Sequence, residues 1–340
     1  MSTFEDVLNR LEQIFSDQNI YAHGRRREYN RGNRGLGTHI GQLKLWFADL
    51  MAFLTYLIDY QQCPKIILVI GAADGEHWTN PAFAERVFTK MGKIQAFQDN
   101  PIMPLKAVFD LIAQNRENPP IQYHFYDTAP FHKSVNAIAS AHSSNLHLHR
   151  QLFKQQDCDT YANEDGVLML CDIRTDAHGK AVRSNNTAEA ERLTQDDMYL
   201  QLRFAQGIQA NLSALKYRAP WYNWKTKNNA FLYAEGTLYA QLFAAPNTTE
   251  QRLMIRKKQL QQQHVWDTKK IEETCHHYNT RLRGGNQMDE RQAYLIWQET
   301  LKLCPNTLTT NSLSTLFADT LSTNNPYLVD LVSAVRFSTV

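Results

Sequence analysis

Several features that mark whole classes of protein are scarce in this chain. It has five cysteines in 340 residues (Cys63, Cys158, Cys171, Cys275 and Cys304), an odd number with no Cys-x-x-Cys pair. That argues against a disulfide framework and against a zinc knuckle, and suits reduced, buried thiols. No apolar run reaches the ~18 residues that a membrane span needs; Asp59, Lys65 and Asp74 break the longest candidates. The opening Met-Ser-Thr-Phe-Glu-Asp lacks the basic start and apolar block of a secretory signal, so the expectation is an intracellular protein. There is no internal repeat. Net charge is nearly absent too, with 36 Lys and Arg against 34 Asp and Glu.

What is present points to a folded domain. A 43% hydrophobic content supplies a sizeable core and excludes whole-chain disorder. The even charge balance hides one basic stretch, His23 to Gly37, where Arg25, Arg26, Arg27, Arg31 and Arg34 face a single Glu28. With little to bury, this Gly- and Arg-rich stretch reads as a loop or arm suited to nucleic-acid phosphates; the competing reading is a solvated loop.

Apolar spacing predicts helices over 4–15 and 42–60. The run Lys65-Ile-Ile-Leu-Val-Ile-Gly71 reads as a strand buried on both faces, the mark of a central parallel strand. Further strands are expected at 123–127, 146–149, 167–172 and 212–216, with helices over 81–91, 104–115, 133–141 and 188–206. The run from Phe231 to Phe243 divides at Glu235-Gly236 and is expected to form a hairpin. Beyond Glu250 the pattern reads as helical, including Arg252 to His264 and Asp289 to Leu303. The expected fold class is α/β: a doubly wound, mostly parallel sheet with a terminal antiparallel hairpin and extra N- and C-terminal helices. The expected division is an arm over 1–40, a core over 41–255 and a helical extension over 256–340.

The first strand runs into Gly71-Ala-Ala-Asp-Gly75-Glu-His77, where the glycines let the backbone approach a ligand. This Gly-x-x-x-Gly turn is neither a Walker loop nor the dinucleotide Gly-x-Gly-x-x-Gly fingerprint, which disfavours a dehydrogenase. Asp127 and Asp172 close two other strands and suit a nucleoside ligand, with simple strand-end capping as the alternative. Lys44 and Lys216 stand in apolar surroundings; a lysine beside another cation and partly desolvated can act as a base near neutral pH, although most lysines merely reach the surface. His147 and His149 alternate onto one strand face, but no third metal ligand has suitable spacing.

Gly41-Gln-Leu-Lys-Leu, Val69-Ile-Gly-Ala-Ala-Asp-Gly-Glu-His, Leu170-Cys-Asp-Ile-Arg, Leu215-Lys-Tyr-Arg-Ala-Pro-Trp and Phe243-Ala-Ala-Pro-Asn-Thr-Thr-Glu-Gln-Arg-Leu resemble, in order, blocks of one family. It is the poxvirus-type cap-specific mRNA nucleoside-2′-O-methyltransferase, also the processivity subunit of poly(A) polymerase. The resemblance implies a Rossmann-like methyltransferase fold and a catalytic tetrad of Lys44, Asp172, Lys216 and Glu250, with Lys216 as general base. It implies S-adenosyl-L-methionine as cofactor, held by Gln42, Gly71, Gly75, Asp127, Leu152 and Asp172. His77 is expected to be structural, and the acids Asp74 and Glu76, where the family usually has Pro-Gly-Thr-His, to repel the cofactor's carboxylate unless they face away. It puts Trp221 at the cap-stacking position, with Tyr21 or Tyr29 as the opposing ring, Asn223 in place of an acid and Glu272 as a second acid. The implied partners are the capped mRNA 5′ end and a polymerase catalytic subunit, with no membrane, in cytoplasm, virus factory or virion. The alternative function is a non-catalytic RNA-binding accessory subunit of a poly(A) polymerase.

Overall fold

A computed structural model describes residues 3–16, 19, 26–27, 41–80, 82–83, 103–141, 144–173, 187–221, 229–245, 248–283 and 288–304. Helices α1 (Phe4–Ser16) and α2 (Gly41–Tyr60) precede strand β1 (Ile66–Ile70). Next come a single turn α3 (Glu76–Thr79), α4 (Leu105–Asn115), β2 (Gln122–Tyr126), α5 (Lys133–Ala139), β3 (Leu146–His149) and β4 (Val167–Cys171). Then follow α6 (Thr187–Ile208), β5 (Leu212–Tyr217), β6 (Ala230–Ala234), β7 (Thr237–Ala240), β8 (Gln251–Arg256) and β9 (Gln263–Asp267). Helix α7 (Thr268–His277), a π-helical turn over Tyr278–Leu282 and α8 (Met288–Leu303) complete the described chain.

Seven strands form one sheet in the order β3-β2-β1-β4-β5-β8-β7. The first five are parallel and β8 runs antiparallel to both of its neighbours. The protein is thus α/β, with a mostly parallel sheet and an antiparallel end. Successive side chains of a strand point to opposite faces, and β1 shows the result. Ile67 and Val69 join the core built from α1, α2, α4 and α8, whereas Leu68 and Ile70 join the core under α6 and α7. Both faces are covered, so a run without polar residues was required. Helix α2 is apolar almost all round because it lies inside the first core, with Leu43, Trp46, Phe47, Leu50 and Phe53 all buried. Gln61, with φ +56°, ends it.

Two expectations need correction. The run 231–243 is no hairpin: β6 pairs with β9 in a separate two-stranded sheet, while β7 pairs with β8. The chain changes sheets at Gly236, where a Cβ would lie 2.6 Å from the Met254 carbonyl oxygen, so only glycine passes there. Alternating polarity identified strands but carried no information on their partners. Likewise, residues 252–264 are not helical. They contain most of β8, a 3₁₀ turn over Lys257–Gln259 and the start of β9, and β9 brings a strand into the expected helical extension. Gln and Lys favour helix locally, but Leu253, Met254 and Ile255 fill the sheet on both faces and decide the outcome.

The expected helix over 81–91 lies outside the described residues apart from 82–83, which are helical. Helix α8 packs on α1, joined by Arg10 Nε to Glu299 Oε2 at 2.8 Å. Among the described residues no helix is long and apolar enough to cross a membrane.

Candidate functional site

In open α/β sheets ligands bind beyond the carboxyl ends of the strands, where strand order reverses. Here the reversal falls between β1 and β4. The carboxyl end of β1 opens into the glycine turn, with φ +79° at Gly71, +52° at Ala73 and +67° at Gly75. Amides of Gly71 and Ala72 donate to the Tyr126 carbonyl, at 2.9 and 3.2 Å. A Cβ on Gly71 would lie 3.1 Å from the carbonyl carbon of Asp172, so the glycine also lets the ends of β1 and β4 close together. At the end of β2, Asp127 accepts amides of Ala73 (2.7 Å) and Ala129 (2.8 Å), bracing the turn. Leu152, just past β3, is exposed.

The two acids peculiar to the turn are engaged within the protein. Glu76 accepts from Asn80 Nδ2 at 2.6 Å and lies 3.6 Å from His132 Nε2; Asp74 accepts the Glu76 amide at 3.1 Å. His77 is buried and its Nε2 meets Asp49 Oδ2 at 3.1 Å, tying α3 to α2.

Register brings the charged residues together. Cys171 of β4 lies beside Leu215 of β5, so the next residues, Asp172 and Lys216, are neighbours. Lys216 is opposite Arg252 on β8, and Glu250 immediately precedes β8. Lys44 enters from the first turn of α2. Lys216 Nζ is 3.2 Å from Asp172 Oδ1 and 3.7 Å from Glu250 Oε2. Lys44 Nζ is 3.0 Å from Glu250 Oε1, which also accepts from Gln241 at 3.2 Å. The four residues singled out in the sequence therefore converge, each with a small part of its side chain exposed.

Two residues missed in the sequence complete the cluster. Arg252 is buried, with Nη2 2.7 Å from Asp172 Oδ1 and Nη1 donating to the Cys171 carbonyl at 3.1 Å. Burial opposes its charge, but Asp172, Asp49 and Glu250 outweigh this and hold it above the ordinary arginine value. Gln201, fully buried on α6, accepts the Lys216 amide at 3.0 Å and donates to the Lys216 carbonyl at 3.3 Å. Its side chain does what a neighbouring strand would do. Arg252 carried a signal, since an arginine two residues beyond Glu250 interrupts an apolar strand. Gln201 carried none.

Of the five expected cap residues, the structure describes Trp221 and Glu272. Trp221 is exposed, its amide donating to Glu191 Oε2 at 3.3 Å. Glu191 Oε1 also pairs with Arg218 at 2.7 Å, and that guanidinium lies 5.7 Å from the Trp221 ring centre. Glu191, on α6, was not anticipated. Glu272 is buried in α7, so it offers no open carboxylate to a base edge. Gln42 lies in α2; Tyr21, Tyr29, Asn223, Arg25, Arg31, Arg34 and the Gln42 side chain fall outside the described residues. Arg26 and Arg27 lie against the protein itself: Arg26 is 3.7 Å from Glu273, and Arg27 Nη1 donates to Thr280 Oγ1 at 3.0 Å.

The histidines form a stack. His124 lies against His147 (ring centres 4.6 Å) and His149 (5.6 Å), and Tyr126 lies on His149 (4.1 Å). Among the described residues no group of three or more His, Cys, Asp or Glu is placed to hold a metal. Burial, reinforced by the neighbouring histidines, pushes His124 from its ordinary 6.5 down to about 4. Unfolded His124 therefore gains its proton before the folded form does. Stability should fall as pH drops from about 6.5 to 4 and level off below that. His124→Gln should flatten that slope in urea melts at pH 7.5 and 5; an unchanged slope would remove His124 as its cause.

A family model described as poly A polymerase regulatory subunit matches residues 107–299, more than half of the chain. The matched segment holds Asp172, Lys216, Glu250 and Arg252; Lys44 and the glycine turn precede it. No curated protein matches.

Proposed function

The chain belongs to the poly A polymerase regulatory subunit family, and from this premise we propose that it binds RNA beside a catalytic polymerase subunit and methylates a ribose 2′-hydroxyl in its own cleft. The substrate we propose is the first transcribed nucleotide of capped mRNA. The observation that carries the proposal is the meeting of Lys44, Lys216, Asp172, Glu250 and Arg252 at the carboxyl edge of the sheet, beside the strand-order reversal.

The residues around that edge suit a nucleoside-bearing donor: exposed Leu152 for a base, the Asp127 carboxylate for ribose hydroxyls and a close-set glycine turn. S-adenosylmethionine, when bound, supplies an electrophilic methyl group on a positive sulfur. The chain's own task is to hold the ribose oxygen in line and take its proton. Lys216 Nζ is our choice of acceptor. Lys44 and Arg252 bring two further positive charges to the carboxylates that hold Lys216, and neighbouring cations favour loss of its proton. Arg252 cannot be the source, because a guanidinium stays charged. It shares Asp172 with Lys216, which weakens the carboxylate's hold on the ammonium. Glu250 bridges Lys44 and Lys216, fixing two flexible side chains.

The test is label transfer from a radiolabelled methyl donor to RNAs with a methylated guanine cap, an unmethylated cap or none. Label confined to capped RNA supports the proposal; absence of label from every RNA would end it. A second reading is favoured by the family match, which concerns the polymerase subunit alone: a non-catalytic accessory subunit. It is recognised by cap-independent RNA binding with no transfer.

For the cap itself, an exposed tryptophan beside a guanidinium–carboxylate pair suits stacking on a flat, cationic base. Trp221→Ala should weaken capped-RNA binding by about 1–3 kcal/mol, the range for aromatic–base stacking, and leave uncapped RNA unaffected. Equal losses on both RNAs, read by fluorescence anisotropy, would remove Trp221 from cap recognition.

A further inference from the structure

The segment that delivers Glu250 is tied down largely by the C-terminal helices. It leaves β7 at Gln241 and returns at Gln251, and its described backbone is bound by side chains from the C-terminal helices. The Phe243 amide donates to Asp289 Oδ2 at 3.0 Å. Arg283 donates to the carbonyls of Ala244 (2.6 Å) and Ala245 (3.3 Å). Asn279 Nδ2 donates to the Thr248 carbonyl at 2.7 Å, two residues before Glu250, and the Thr248 hydroxyl accepts the Glu250 amide at 2.9 Å.

The anchor is unusual in its burial. Arg283 and Asp289 have 0% and 2% of their side chains exposed and pair at 2.6 Å; Tyr278 donates to Asp289 Oδ1 at 3.0 Å, and Arg283 to Asn279 Oδ1 at 3.1 Å. A buried ion pair is a poor source of stability, because desolvation offsets its attraction and apolar residues often hold helices as well. An apolar pair has no means of satisfying backbone groups of the Glu250 segment. Phe243 adds a strained point, at φ +57°, which persists only where its surroundings dictate it. Tyr278 and Asn279 lie in the π-helical turn Tyr278–Leu282, with Arg283 next to it; such turns are frequent at functional sites.

We infer that Asp289, Arg283 and Asn279 are positioning residues for Glu250, so that the C-terminal helices set where its carboxylate meets Lys44 and Lys216. The consequence for rate rests on the methyl-transfer reading; the consequence for geometry does not.

The test uses the full chain and two variants, Asp289→Asn and Asn279→Ala, the second removing the tie to Thr248 and one bond from Arg283 while leaving the Arg283–Asp289 pair in place. The first readout is acetylation of lysines by a mild reagent, resolved by mass spectrometry. Lys44 should label several-fold faster in both variants, because its partner at 3.0 Å has moved, while Lys106, paired with Asp110 far along the chain, keeps its wild-type rate. The second readout is transfer kinetics, with kcat falling about 10- to 100-fold, the scale of an ångström misplacement, and KM within twofold. A merely structural staple would instead lower the melting point and leave Lys44 labelling in the folded protein unchanged, and that result overturns the inference. If Asp289→Asn does not fold, Asn279→Ala decides. A wild-type chain that methylates no RNA refutes the proposed function, and Lys44 labelling still judges the positioning.

Discussion

Replacing Lys216 by alanine should lower methyl transfer to capped RNA by about 10²- to 10⁴-fold, the contribution of a well-placed general base. Its ammonium reaches both carboxylates, at 3.2 Å from Asp172 and 3.7 Å from Glu250. Its backbone is fixed independently, by Gln201 on α6 and by pairing with Arg252 on β8, so truncation should leave the strand in place. Two controls separate proton removal from charge. Lys216→Arg keeps a cation that never releases its proton, so it should be as poor as alanine if the amine accepts the ribose proton. Capped-RNA affinity, measured apart from turnover, should change by far less than the rate. Transfer within tenfold of wild type in Lys216→Arg would leave Lys216 an electrostatic role and remove it as the base.

How much of this was legible in the sequence depends on how far apart the informative residues lie. Strands β1 and β4 could be read directly, because Ile66–Ile70 and Val167–Cys171 carry no polar side chain and both faces of the sheet are covered. Helix α2 was legible for the same reason. Lys44, Lys216 and Asp172 stood out by their surroundings and Glu250 through resemblance, while the register of β4, β5 and β8 and the entry of α2 explain why they meet. Strand β8 was missed because its flanks read as polar. Its buried Arg252 is tolerated through a contact with Asp172, eighty positions away, and no local pattern encodes that contact. The exchange of partners by β6 and β7 was hidden likewise: alternation tells which faces are apolar and says nothing about which strand lies alongside. Glu191, Gln201, Arg283 and Asp289 are ordinary letters on helices. Their roles lie in the backbone groups they satisfy, which exist only once the sheet has formed.

Arg252→Met should show the second large effect, in stability and in pH dependence together. The guanidinium is buried, and Asp172 Oδ1 divides its attraction between Arg252 at 2.7 Å and Lys216 at 3.2 Å. Removing one partner of a buried pair costs about 3–5 kcal/mol when the other is stranded. Asp172 keeps Lys216 and is partly exposed, so the loss should sit near the lower end of that range and appear as a reduced urea midpoint. The cluster also loses one positive charge. Asp172 then no longer divides its attraction between Lys216 and Arg252, and fewer cations oppose the ammonium's charge. Both changes favour the protonated amine, so its proton leaves at higher pH. The rising limb of the pH–rate profile for methyl transfer should therefore move to the alkaline side, and activity lost at pH 7 should return in part near pH 9. Loss of stability alone lowers the rate equally at every pH. A profile that keeps its wild-type midpoint while the urea midpoint falls would reduce Arg252 to a structural partner of Asp172 and separate it from the proton transfer.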